Sequence, residues 1–153
     1  MAQPTLSRER IEFLKEDYQR GFIRFCGLRP EKVEWGRFES RVHIVEDHRQ
    51  QDGFIHAGVM ATMADHTAGY SAFTTVPEGF QILTIEFKIN FLKPAYGHSL
   101  KCLSQVIREG RQIIVAESNV LDVRTDQEVL VAKAMVTLMA VSQDLLSRPT
   151  REK

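Results

Sequence analysis

Between His56 and Phe73 the chain offers almost nothing but small and apolar side chains: Ala57, Gly58, Val59, Met60, Ala61 and Met63 open the run, and Ala64, Ala68, Gly69, Ser71 and Ala72 continue it. A helix that is small or apolar nearly all the way round belongs inside other structure, not on a surface. Asp65 falls in its middle. An ionised carboxylate in such surroundings costs on the order of several kcal/mol unless it is paired, hydrated or used, so any account of the chain has to give Asp65 a reason.

The flanking segments say what encloses that helix. Ser7 to Phe22 has Ile11, Leu14, Tyr18 and Phe22 at helical spacing behind a Ser7 cap, which predicts an N-terminal helix within about residues 5–24. Apolar and charged residues mix from Val33 to Val45 around Gly36, the pattern of strands with a bend. After the Pro77-Glu78-Gly79 turn, Thr84 to Phe91 alternates apolar and polar, which at period two buries one face of a strand and wets the other. Leu100–Arg108 and Gln112–Val123 flank Glu109-Gly110-Arg111, where glycine lets two strands double back. Val129–Val141 follows as the last strand, and residues 142–153 read as a polar, loosely ordered tail. The order is therefore helix, strands, apolar helix, then four strands. One strongly curved antiparallel sheet wrapped around a single central helix satisfies it, and the small side chains let the sheet approach. Such a sheet keeps open edges, so dimerisation that continues it is expected.

With 153 residues and no biased or repeated segment, the sequence predicts one domain over 1–153, its core at about 33–141. Its formal net charge of zero supplies no overall drive toward nucleic acid or an anionic membrane, so a small molecule or a protein is the expected partner. No signal-type or membrane-crossing apolar run is apparent, which predicts a cytoplasmic protein. Cys26 and Cys102 lack metal-ligand or redox spacing and read as buried thiols. No glycine-rich nucleotide loop is present.

The stretch His48-Arg49-Gln50-Gln51-Asp52-Gly53-Phe54-Ile55-His56-Ala57-Gly58, followed by Val59 through Asp65, resembles the active-site segment of hotdog-fold acyl-CoA thioesterases, particularly the phenylacetate-pathway, 4-hydroxybenzoyl-CoA and Them2-like enzymes. Those enzymes carry an amide side chain, a glycine shortly before His-Gly-Gly, and an acidic residue within the helix. The likeness runs from about Val33 to Val141. It implies an α+β hotdog fold, hydrolysis of an acyl- or aryl-CoA thioester, no cofactor or metal beyond the coenzyme A of the substrate, and a homodimer, with a tetramer above it, whose site lies at the interface. There are departures. Ala57 replaces the first Gly of His-Gly-Gly, although the role the resemblance assigns that position is a backbone N–H, which alanine keeps. Gln50 stands where many relatives have Asn, and Gln and Asp occur together here.

The chemistry suits these residue types. Thioester hydrolysis puts negative charge on the carbonyl oxygen, and the N–H groups of Ala57 and Gly58 at a helix N-terminus can stabilise it. Asp65 can act as general base on water or attack the carbonyl directly. The Gln50 amide can orient water or the thioester oxygen, and the resemblance implies that it reaches Asp65 of the neighbouring subunit. Thr84 is a candidate lining residue, and Lys93, Arg108 and Arg111 are candidates for the coenzyme A phosphates.

Other readings stay open on the residues alone. Asp65 can be a hydrated carboxylate on a polar stripe with Thr62, His66 and Gly69; His56 can be a helix cap; Gln50 can be an ordinary loop residue; Thr84 and Thr67 can be structural, and the cations solvated. A hydratase or dehydratase using His56 and Asp65 as acid/base pair, and a non-catalytic acyl-CoA-binding module, are the alternative functions.

Overall fold

The computed structural model describes residue 2 and residues 4–146. Six antiparallel strands form one sheet in the order β1-β2-β4-β5-β6-β3, where β1 is Leu28–Glu34, β2 Arg37–His43, β3 Phe80–Phe91, β4 Ser99–Glu109, β5 Ile113–Val123 and β6 Glu128–Ser142. The expected helix is present as α3, Ala57–Phe73, lying against the sheet. Its buried side carries Met60, Met63, Ala64, Thr67, Ala68, Ser71 and Ala72. These meet Phe38, Leu100, Ile114, Val136 and Leu138 from the strands, all fully buried. The approach is close enough for the Ser118 hydroxyl on β5 to donate to the Ala64 carbonyl at 2.7 Å. Small residues on α3 make that contact possible, as their abundance predicts.

The N-terminal helix is two helices. α1, Arg8–Tyr18, starts at Ser7, whose hydroxyl accepts from the Arg10 amide, and buries Leu14 and Tyr18. It stops before Phe22 because Gly21, at φ +58°, turns the chain into α2, Phe22–Cys26, closed in turn by Gly27 in the left-handed region. An apolar spacing that looks continuous through Phe22 thus bends at a residue that only glycine adopts cheaply.

The other correction concerns β3. The strand is present and starts four residues before the alternating stretch, at Phe80, but it lies at the edge of the sheet and a bulge at Ile85 breaks its period. Leu83, Ile85, Phe87 and Phe91 are between two-fifths and about half exposed in the single chain. Alternation predicted one wet and one dry face, and this strand has no dry face of its own. At the C-terminal end, β6 runs to Ser142 and Gln143–Leu145 forms a 3-10 turn, so the tail expected from residue 142 is ordered there; residues 147–153 lie outside the described residues.

Candidate active site

Arg49 and Ile55 form a single antiparallel bridge, and the small loop between them closes with Gly53 N–H on the Gln50 carbonyl at 2.9 Å, Gly53 holding φ +86°. This loop delivers the chain to the start of α3. His56 is its N-cap, with Nδ1 accepting from Gly58 N–H at 2.8 Å. Gly58 N–H is already committed to the imidazole and is not a free oxyanion donor. A Cβ at Gly58 would lie 2.9 Å from His56 Nδ1, so this position is glycine because the cap occupies the space. Ala57 N–H, by contrast, has no acceptor among the described residues and is exposed at the first position of the helix, where the positive end of the dipole is concentrated.

Asp65 is not enclosed as its neighbours in sequence suggest. It is half-buried, on the one stripe of α3 that the sheet leaves uncovered, and it lines a cleft of about 610 Å³ with Gly58, Ala61, Thr62, His66 and Phe87. Thr84 Oγ1 donates to Asp65 Oδ1 at 2.7 Å from the edge strand. A hydroxyl donor is therefore part of the answer to why the carboxylate is tolerated, and an opening to solvent is the rest.

Gln50 lies elsewhere. With Ala57, Phe54, Met60, Phe91 and Lys93 it lines a second cleft, of about 400 Å³. Its Oε1 accepts from the Asp52 amide within its own loop. Within one chain the candidate residues thus divide: Gln50, Ala57 and Lys93 share one cleft, while Gly58 and Asp65 border the other, with Thr84 hydrogen-bonded to Asp65. Ala57 and Asp65 are eight residues apart on one helix, about 12 Å along its axis. His56 and Asp65, nine residues apart, sit on opposite sides of it, so the structure does not assemble them as an acid/base pair. Arg108 and Arg111 border neither cleft, and the strand register puts their hairpin at the Phe80 end of the sheet, away from Lys93. A single phosphate-binding mouth built from all three cations is not formed in one chain.

Two further histidines, His66 and His48, are packed. His66 lies between the Tyr18 and Tyr70 rings and donates from Nε2 to the Tyr18 carbonyl at 3.0 Å; burial pushes its pKa down, against smaller opposing effects of that carbonyl and of Asp65. His48 accepts from Val45 N–H and donates to the Cys26 carbonyl, which fixes the loop before Gln50. Both cysteines are free. Cys102 is fully buried, which pushes its thiol up to about 11, and Cys26 is half-buried. Among the described residues no group of three or more His, Cys, Asp or Glu could hold a metal, and no helix is long and apolar enough to cross a membrane.

Sequence reading missed the corner between α1 and α2: Arg20, Phe22 and Ile23 also line the Asp65 cleft. The signal for it is Gly21, the pivot that turns those side chains toward α3. It also missed a clamp behind the Gln50 cleft. Asp122 is fully buried, accepts from the Tyr96 and Gly97 amides at 3.0 and 2.9 Å, and pairs with Arg124 at 2.9 Å. The loop so held presents the Ala95 carbonyl to Ile55 N–H at 2.8 Å, two residues before Ala57.

Comparison with known proteins bears on the fold and the family. The family model described as the thioesterase superfamily matches residues 52–132, the span that includes α3 with Asp65 and most of the sheet. A Saccharolobus solfataricus protein named as an esterase is 31% identical over 117 residues, covering 76% of this chain and 80% of its own length. The crystal structure of a thioesterase family protein from Silicibacter pomeroyi superposes with a TM-score of 0.83 at 32% identity, covering 86% of this chain and 98% of that one. Zebrafish thioesterase superfamily member 2, at 18% identity and a TM-score of 0.73 over 88% of this chain and 99% of that one, shares the fold. The curved sheet around one helix is a hotdog fold, and with the sequence match running through the very segment that carries Gly53, His56, Ala57 and Asp65, the chain belongs to the thioesterase superfamily.

Proposed function

We propose that the protein hydrolyses acyl- or aryl-CoA thioesters at a composite site, in which Gln50 and Ala57 of one protomer face Asp65 of another. The observation that carries this reading is the division of the candidate groups between two clefts of one chain, joined to an edge strand that exposes apolar side chains beside both: Phe87 borders the Asp65 cleft and Phe91 the Gln50 cleft. Antiparallel pairing of two β3 edges would satisfy the open strand and make one twelve-stranded sheet by doubling the six strands present. Because Thr84 lies near the middle of β3, the same pairing brings each Asp65 toward the other chain's Gln50 loop. It also carries each Arg108–Arg111 hairpin to the end of the sheet that holds the other chain's Lys93, which gathers cations suited to the coenzyme A phosphates.

In this site the thioester carbonyl oxygen accepts from Ala57 N–H, whose hydrogen bond and helix dipole strengthen as negative charge develops. Asp65, aimed by Thr84, either takes a proton from water as that water adds to the carbonyl carbon, or attacks the carbon itself to give an acyl-aspartyl anhydride that water then hydrolyses; on either route the carbon–sulfur bond breaks and the thiolate of coenzyme A leaves. The Gln50 amide holds the water or the carbonyl. His56 orients the helix start through its cap.

The test is complementation between two inactive chains. Asp65→Asn removes the base or nucleophile. Ala57→Pro removes only the N–H, at a first-turn position where proline is accepted and after a His56 already at φ −63°, ψ 135°. Each variant alone should hydrolyse acyl-CoA poorly. Refolded together, they should regain about a quarter of wild-type turnover, since random pairing makes half the dimers mixed and each mixed dimer has one intact site. No regain from a folded mixture rejects the composite site.

A further inference from the structure

The segment before the matched family region helps build the site. Residues 52–132 match the superfamily model, yet Arg20, Phe22 and Ile23 from the α1–α2 corner line the cleft that holds Asp65. Ile23 is 5% exposed and anchors α2 in the core, whereas Phe22 is 63% exposed and stacks on Phe25, ring centroids 6.4 Å apart at 23°. A phenylalanine this open is held in place by its backbone and lacks a cover, and the cleft it borders offers Phe87 and Ala61 as further apolar surface. The charge in this cleft is already spoken for. Arg20 is paired to Asp17 at 3.4 Å and Glu16 at 3.9 Å, His66 gives its Nε2 proton to the Tyr18 carbonyl, and Asp65 contributes a negative charge.

Resting on the thioesterase reading, we propose that Phe22 is a specificity-determining residue, that the α1–α2 corner forms the wall against which the acyl group of the substrate lies, and that the group selected is compact, uncharged and apolar, aryl groups included. An aromatic or short branched acyl group gains contact with Phe22 and Phe87 and loses no hydration of its own. A terminal carboxylate meets Asp65 and finds no unpaired cation at this wall, so a dicarboxylic acyl group is rejected by repulsion as well as by desolvation. Acetyl is too short to reach the wall and gains nothing from it.

The experiment compares benzoyl-CoA, hexanoyl-CoA, acetyl-CoA and succinyl-CoA with the wild-type protein, Phe22→Ala and Phe22→Leu, following release of free thiol. Phe22 is solvent-exposed, so both variants should melt with the wild type. The wild type should favour benzoyl- and hexanoyl-CoA. Phe22→Ala should lower kcat/KM for benzoyl-CoA about tenfold, through KM, while acetyl-CoA is unchanged, and Phe22→Leu should restore most of the hexanoyl-CoA value. Equal losses on benzoyl- and acetyl-CoA, no loss on either, or succinyl-CoA turned over as well as hexanoyl-CoA would overturn the assignment while leaving Asp65-dependent hydrolysis standing. If the wild type cleaves none of the four esters, the hydrolase reading fails and this assignment falls with it.

Discussion

Thr84 donates its hydroxyl hydrogen to Asp65 at 2.7 Å, tying the edge strand of the sheet to the middle of the central helix. The donor fixes one carboxylate oxygen of a residue that lines the cleft, and in the proposed reaction this bond sets the orientation in which Asp65 acts. Thr84→Val keeps the shape and removes the donor. Turnover of an acyl-CoA should fall about tenfold, less than the hundredfold or greater loss expected for Asp65→Asn. Thermal melting should scarcely change, because this pair is partly solvated. Steady-state thiol release on the three proteins decides it, and an unchanged kcat for Thr84→Val would remove the hydroxyl from the site.

Asp122 stabilises the loop behind the Gln50 cleft with a fully buried charge held by two amides and Arg124. Asp122→Ala strands all three donors. Denaturant unfolding should show a loss of about 3–5 kcal/mol, the range for breaking a buried charge pair by removing one partner. Gly97→Ala should be poorly tolerated as well, because a Cβ there runs into the Val123 carbonyl and the Asp122 carboxylate.

Burial between Tyr18 and Tyr70 holds the His66 pKa below its ordinary value. The unfolded chain therefore takes up a proton at this position before the folded one does. Stability from this residue is complete above about pH 6.5 and declines as pH falls through that value, levelling off once the folded form protonates too. Melting temperatures of the wild type and His66→Phe, measured from about pH 7.5 to about pH 5.5, should converge toward acid, the variant having the shallower slope.

Gly69 lies in the middle of α3, at ordinary helical φ, and a Cβ built on it meets nothing within 4 Å. Gly69→Ala should raise stability by about 0.5–1 kcal/mol through the lower entropy of the unfolded chain. A loss instead would mean that another molecule covers this spot in the assembled protein.

The central helix and the paired strands after it were readable in sequence because each carries a period: small residues at every turn of α3, alternation and a glycine turn in β4 and β5. Asp65, Gln50 and Ala57 stand out in the sequence because they form an ordered motif around that helix, and within one chain they line two clefts. What escaped depends on contacts between distant segments. The kink at Gly21 is a single backbone angle, and the clamp at Asp122 joins residues about 26 positions apart in a strand whose alternation looks ordinary. Gly58 misled for a different reason: its amide is spent on the side chain of His56, and no spacing rule reports who uses a backbone hydrogen. The exposure of β3 was hidden because alternation specifies which residues want cover without saying whether the same chain supplies it.

If the proposed pairing of edge strands holds, a newly made copy carries that uncovered strand from the moment it folds until a second copy arrives. During the interval Leu83, Ile85, Phe87 and Phe91 offer a ready template to any extended segment nearby. Crowded synthesis from one message would shorten the wait, and extreme dilution would lengthen it, so the yield of usable protein should depend on how quickly siblings meet.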